Sequence, residues 1–133
     1  PQTYRPGPIY GVNGVGNTLG DGQVQVTLSW NPPDDGGSPL TGFVIQMAAA
    51  YAWTWFPYPC PPNGSPDAPS VEGGYWLGYG SYWLFTPWAN SITLADCASI
   101  GSGGTYEFRV AAVNANGPAN GWGSSTPRIM TYP

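Results

Sequence analysis

Two stretches of the chain carry strong β-strand patterns: residues 26–46 read VTLSWNPPDDGGSPLTGFVIQ, and residues 104–127 read GTYEFRVAAVNANGPANGWGSSTP. Around the first stretch, apolar and polar residues alternate from residue 23 to residue 30. The apolar set is Val24, Val26, Leu28 and Trp30. A period of two is typical of a β-strand with one buried face. A turn cluster, NPPDDGGSP, follows it, and a second alternation then begins at Phe43.

The second stretch repeats this pattern. Its alternation from residue 106 to residue 112 separates an apolar face from a face that carries Glu107 and Arg109. No segment repeats apolar residues every 3.6 positions, so the sequence predicts an all-β protein without a sustained helix. We expect the core to contain Trp30, Phe43, Ile45, Tyr106, Phe108 and Val110.

Length and composition narrow the function classes. A chain of 133 residues suits a single domain. Charged residues make up 8% of it, His and Lys are absent, and seven acidic residues face three arginines. A nucleic-acid or anionic-lipid partner needs a basic stripe that this composition does not supply. No apolar run of about 18 residues occurs, so we expect no membrane insertion.

The two strand-rich stretches resemble the two halves of a fibronectin type III domain. The resemblance is carried by Trp30 before a Pro-Pro turn, by SPLTGF, and by GTYEFRVAAVN, in which Tyr106 matches the tyrosine-corner position. It implies an immunoglobulin-like β-sandwich over residues 1–133. It also implies a module of a kind that mostly serves as a non-catalytic spacer, an adhesion module or a protein-binding module.

Two segments depart from that family. Residues 1–10, rich in proline, are predicted to form an extended N-terminal arm, which carries few packing signals and which we expect to lie along a neighbouring subunit. Residues 48–90 form an aromatic-rich insertion after the third strand, predicted to be a hairpin or flap. Within it, YWLGYGSYWL repeats YWL around two glycines, which predicts a hairpin with Trp76 opposite Trp83.

The insert is the candidate functional segment. One interpretation makes it a flap that forms a satellite core, and the other makes part of it an exposed patch for another molecule. Aromatic anchors with few charges favour a protein partner, either a copy of itself or another surface protein. Carbohydrate is the alternative partner, although polar side chains such as Asn63, Asp67, Glu72 and Asn90 are few. The candidate interaction residues are Tyr51, Trp53, Trp55, Tyr75, Trp76, Tyr79, Tyr82, Trp83 and Trp88.

The remaining chemistry points away from catalysis. Without His or Lys, neither a Ser/His/Asp arrangement nor a lysine base is available, so we expect no enzymatic activity, no cofactor and no metal site. Asp34 and Asp35 are interpreted as turn-capping residues rather than calcium ligands. The even cysteine count predicts a Cys60–Cys97 disulfide, with free thiols as the alternative. An oxidising location follows: extracellular, cell surface or virion surface.

Overall fold

The computed structural model describes residues 2–18, 24–49, 54–62, 69–86, 89–95, 104–127 and 129–130. The strands and the one short helix of this part are β1 (Asn13–Thr18), β2 (Val24–Ser29), β3 (Leu40–Ala49), β4 (Phe56–Pro57), β5 (Ser70–Glu72), α1 (Gly74–Leu77), β6 (Ser81–Trp83), β7 (Ser91–Ala95), β8 (Thr105–Asn114), β9 (Gly117–Pro118) and β10 (Ile129–Met130). No helix within these ranges is both long enough and apolar enough to cross a bilayer.

Two antiparallel sheets form the sandwich. The first has the order β1-β2-β7, and the second has the order β10-β8-β3-β4, with β9 paired to β8. In β2 the predicted alternation holds, since Val24, Val26 and Leu28 are buried while Thr27 and Ser29 are exposed. The all-β prediction and the sandwich prediction are therefore confirmed, and the alternation of β2 tells which face points inward.

The main core lies between these sheets. Of the predicted core residues, Trp30, Phe43, Ile45, Phe108 and Val110 are buried in it. Tyr106 is only partly buried and packs against its edge. The Trp30 ring lies 5.0 Å from the Phe43 ring, and its indole N–H donates to Asn90 Oδ1 at 3.0 Å. A buried indole therefore has both its apolar surface and its polar atom satisfied.

The N-terminal arm packs against its own domain, although its sequence carries few packing signals. Ile9 is fully buried in the main core. The Tyr4 N–H donates to the Gly36 carbonyl at 2.8 Å, and the Gly7 N–H donates to the Asp34 carbonyl at 2.9 Å. The arm covers apolar core surface and satisfies backbone groups of the β2–β3 turn, because its prolines leave it extended and its remaining amides need partners.

The third sheet pairs β5 with β6 and forms the inserted hairpin. The predicted hairpin with Trp76 opposite Trp83 is wrong, because Trp83 pairs with Ser70 and Trp76 lies in helix α1. Positive φ values at Gly74 (66°) and Gly78 (96°) turn the chain into and out of that helix. In this conformation the Leu77 carbonyl accepts hydrogen bonds from the Gln46 and Trp122 side chains. It does not pair in a β-ladder between the two YWL repeats.

Candidate interaction surface

The insert sends some of its aromatic side chains into the main core. Tyr58 and Phe85 are buried there, with ring centroids 6.1 Å apart, and Tyr58 also lies 6.5 Å from Phe108. Burial raises the pKa of Tyr58 to about 12, so this phenol is neutral at physiological pH. These two residues tie the start and the end of the insert to the sandwich.

Residues 69–86, which we call the flap, cover the outer face of the second sheet. Beneath the flap lies a satellite core that consists of Val44, Leu77, Tyr82, Ala111, Val113 and Ala119. The Tyr82 ring stacks on Trp122 with centroids 6.1 Å apart and an interplanar angle of 26°. Strand β3 is consequently buried on both faces over residues 42–48, although a sandwich covers only one face of a strand.

A buried polar network fixes the flap to the sheet. Gln46 Nε2 donates to the Tyr82 hydroxyl at 2.8 Å and to the Leu77 carbonyl at 3.0 Å. The Tyr82 hydroxyl in turn donates to the Leu77 carbonyl at 2.9 Å. The Trp122 indole N–H reaches the same carbonyl at 3.0 Å. Three side chains from different parts of the chain thus converge on the end of helix α1.

Arg109 extends this network. Its Nε donates to Gln46 Oε1 at 2.7 Å, so the Gln46 amide uses both of its ends. The guanidinium lies 4.3 Å from the centre of the Trp55 ring and 5.0 Å from that of Trp122. Burial lowers the pKa of Arg109, while the Tyr82 hydroxyl acts in the opposite direction. Burial likewise raises the pKa of Tyr82, opposed by the Gln46 hydrogen bond and the Arg109 charge.

Three large aromatic side chains of the flap face solvent. Tyr75 is 73% exposed, Trp76 63% and Tyr79 80%, and we call these three residues the aromatic patch. The Tyr75 and Trp76 rings meet edge to face, 5.1 Å apart at 87°. The patch lies within residues 73–80, which connect strands β5 and β6. The buried polar network fixes this connection at the Leu77 carbonyl, so the backbone that carries the patch is held in place.

The other candidate interaction residues lie elsewhere. Tyr82 is buried in the satellite core, so its assignment to an interaction surface is corrected. Trp83 is half-buried and donates its indole N–H to the Pro59 carbonyl at 3.3 Å, and half-buried Trp55 covers Arg109. Tyr51, Trp53 and Trp88 lie outside the described residues. Of the six candidates among the described residues, three are largely exposed and lie on one short connection: Tyr75, Trp76 and Tyr79.

The polar candidates are largely committed to structural contacts. Asp34 and Asp35 accept hydrogen bonds from the N–H groups of Gly36 and Gly37, at 3.0 and 2.8 Å, as predicted for turn-capping residues. Glu72 is exposed and accepts from the Ser81 hydroxyl at 2.8 Å. Asn63 and Asp67 lie outside the described residues. Within the described ranges, no three His, Cys, Asp or Glu side chains cluster in a way that would hold a metal ion.

Sequence reasoning missed the roles of Gln46, Arg109 and Trp122. The available signal was modest: Gln46 and Arg109 are polar residues at the middle of apolar strands, where a buried polar group needs a partner. Among the described residues no cysteine is a free thiol. Cys60 packs partly buried against the main core, but its predicted partner Cys97 lies outside the described residues.

No family model matches the chain. Among solved structures, the chain is similar to the twitchin kinase region from C. elegans (Fn31-NL-kin-CRD-Ig26), with 23% identity and a TM-score of 0.60 over 98% of this chain and 17% of that one. It is also similar to domains A168-A170 from titin, with 20% identity and a TM-score of 0.56 over 98% of this chain and 34% of that one.

A third similar structure is that of the titin kinase and its flanking domains, with 20% identity and a TM-score of 0.51. That match covers 94% of this chain and 16% of the other. The chain therefore spans between about a sixth and a third of the length of these structures. At these identities the likeness concerns the fold alone, and the fold is a fibronectin type III-like β-sandwich.

Proposed function

We propose that this domain is a non-enzymatic structural and interaction module that docks to proteins, including copies of itself, through the aromatic patch. The observation that carries the proposal is the exposure of Tyr75, Trp76 and Tyr79 on one short connection. Together they present roughly 400 Å² of aromatic surface, estimated from the area of such side chains. The largest apolar patch on a typical monomer has about this size and is often functional.

The composition of the connection supports a protein partner. The connection and strand β6 together, residues 73–83, read GGYWLGYGSYW, in which every residue except Leu77 is Tyr, Trp, Gly or Ser. Tyr and Trp offer large contact areas at a low cost in side-chain entropy, which is why binding loops of antibodies are rich in them. Because the Leu77 carbonyl is held by Gln46, Tyr82 and Trp122, little further ordering of the connection is needed on binding.

A carbohydrate partner is less well supported. The Tyr75 and Trp76 rings stand at 87° to each other and so do not form one flat platform for the C–H face of a sugar. Asn90, one of the polar side chains considered for sugar hydroxyls, already accepts a hydrogen bond from the Trp30 indole. Sugar binding therefore enters the test below as a competing outcome.

Replacing Trp76 and Tyr79 together by serine tests the docking proposal. We expect higher-order species in sedimentation velocity to disappear, with self-association weakened about 30-fold or more, as for loss of interface hot spots. Circular dichroism should stay unchanged, because both side chains lie outside the cores. Tyr10→Ser is the matched control, since Tyr10 is 59% exposed outside the patch. A different result would contradict docking and favour sugar binding. The wild-type protein would stay monomeric at millimolar concentration and would bind a glycan array, and the double variant would lose that binding.

We further propose an extracellular, cell-surface or virion-surface location, supported by the Cys60–Cys97 disulfide that cysteine parity predicts. Such a bond would close a loop of 38 residues, counted inclusively from 60 to 97, and restrict the unfolded chain by roughly 4 kcal/mol. Intact mass after alkylation without reductant should show no added label on denatured protein. Prior reduction should allow two labels. Two labels on unreduced protein would show that the disulfide is absent, and the proposed location would lose its main support.

A further inference from the structure

We infer that the partner segment seated on the aromatic patch is a cationic, arginine-bearing segment of another protein. The inference rests on the proposed docking function and names the chemistry of the occupant. Its first support is the nature of the exposed surface. The faces of Tyr and Trp rings carry negative electrostatic potential, so they attract a guanidinium or an ammonium group and repel an anion.

The charge around the patch has the same sign. Glu72 is the only charged residue between residues 70 and 83. It pairs with Ser81 across the β5–β6 hairpin, so its exposed carboxylate lies at the base of the connection that carries all three rings. Ser81 donates to Oε1 of that carboxylate, and the Glu72 residue is exposed. A cation on the rings would therefore also meet a carboxylate.

Within the described residues, both arginines are engaged away from the aromatic patch. The chain has a net charge of −4 and no Lys, and Arg109 is held by Gln46 and by the Trp55 and Trp122 rings. A second copy of the chain would bring the same negative charge. Of its three arginines, Arg109 is committed in this way, Arg5 already binds Asn120 at 3.3 Å, and Arg128 lies outside the described residues. Charge complementarity thus makes a different protein with a basic segment the tighter partner of the patch, and a second copy the weaker one.

The geometry favours arginine over lysine. A guanidinium is planar, stacks on an aromatic ring and can bind a carboxylate with two parallel N–H groups, whereas an ammonium is a strongly hydrated point charge. Stacking on Trp76 or Tyr79 and a hydrogen bond to Glu72 use these two properties together. The Arg109 side chain in the same molecule illustrates the stacking mode, with its guanidinium 4.3 Å from the Trp55 ring centre.

The test is a titration of the full chain with an acetylated and amidated Gly-Arg-Gly-Arg-Gly peptide, followed by the NMR signal of the Trp76 indole N–H. We expect saturable shifts at the patch. The same peptide with citrulline in place of arginine, equal in shape but neutral, should bind about tenfold more weakly, and a lysine peptide should fall between them. Higher salt should weaken the arginine peptide selectively.

Two variants locate the effect. Glu72→Gln should weaken the arginine peptide about threefold without altering binding of the citrulline peptide. Asp34→Asn is the matched control, because it removes one charge from the β2–β3 turn and keeps an oxygen that accepts from Gly36. Equal binding of the arginine and citrulline peptides, or no saturable shift at millimolar peptide, would overturn the inference. If the inference fails but self-association still depends on Trp76 and Tyr79, docking through the aromatic patch is retained and only the arginine-bearing partner is rejected. If self-association does not depend on them either, both the inference and the proposed function are rejected.

Discussion

Trp30→Ala is expected to lower the free energy of unfolding by about 3–5 kcal/mol, as for other large aromatic-to-alanine changes in protein cores. Trp30 is 6% exposed and lies between the two sheets, against Phe43. The change leaves a large cavity and removes the donor that Asn90 accepts from. A domain of ordinary stability has about 5–15 kcal/mol in total, so this single substitution would bring it close to unfolding.

Urea denaturation followed by far-ultraviolet circular dichroism measures this effect. Ser29→Ala, at the neighbouring exposed position of β2, is the matched control and should change the free energy of unfolding by no more than about 0.5 kcal/mol. A cooperative transition of Trp30→Ala near the wild-type midpoint would show that this indole does not fill the core. The strand alignment that puts Trp30 opposite Phe43 would then be wrong.

The framework could be predicted because its signals are local. In β2, each apolar residue is separated from the next by one polar residue, and the same period decides which face is buried. The turn after Trp30 is indicated by Asp34 and Asp35, whose side chains accept hydrogen bonds from amides two residues further on. Signals of this kind need no knowledge of distant parts of the chain.

The arm and the flap could not be predicted from such signals. Ile9 and Val12 are buried in the main core, yet they stand among prolines and glycines without any period. In the insert, the YWL repeat resembles two strands of a hairpin, but the partner of β6 is residues 70–72. Which triplet pairs with β6 is decided by Leu77 and Tyr82, which both reach the satellite core and meet Gln46 from strand β3.

The three residues of the aromatic patch were predicted only as members of a set of nine candidate interaction residues. Composition identifies the insert as the unusual segment, but it does not separate Tyr82, which is buried, from Tyr79, which is 80% exposed. Which of these two tyrosines is buried depends on the positive φ values of Gly74 and Gly78 and on Gln46, a buried residue far away in sequence. The fold follows from periodicity, whereas the functional surface follows from long-range polar contacts.

Gln46→Leu is expected to lower the free energy of unfolding by about 2–3 kcal/mol, because it leaves a buried hydroxyl and a half-buried guanidinium each without one hydrogen-bond partner. Leucine has nearly the same size and keeps the packing, so the loss reports the network. We also expect amides of β5 and β6 to exchange hydrogen faster than amides of β2, since Gln46 bonds the flap and the second sheet, whereas β2 belongs to the first sheet.

The control for this prediction is Tyr82→Phe, which removes one hydroxyl from the same network and keeps the Gln46–Arg109 bond. It should cost about 1 kcal/mol, and the double variant should cost less than the sum of the two changes, because the two groups bond each other at 2.8 Å. Denaturation midpoints and hydrogen exchange by mass spectrometry provide both readouts. If Gln46→Leu changes stability by less than about 0.5 kcal/mol and leaves exchange in β5 and β6 unaltered, apolar packing of Leu77 and Tyr82 alone holds the flap. The aromatic patch would then owe its position to the satellite core rather than to the polar network.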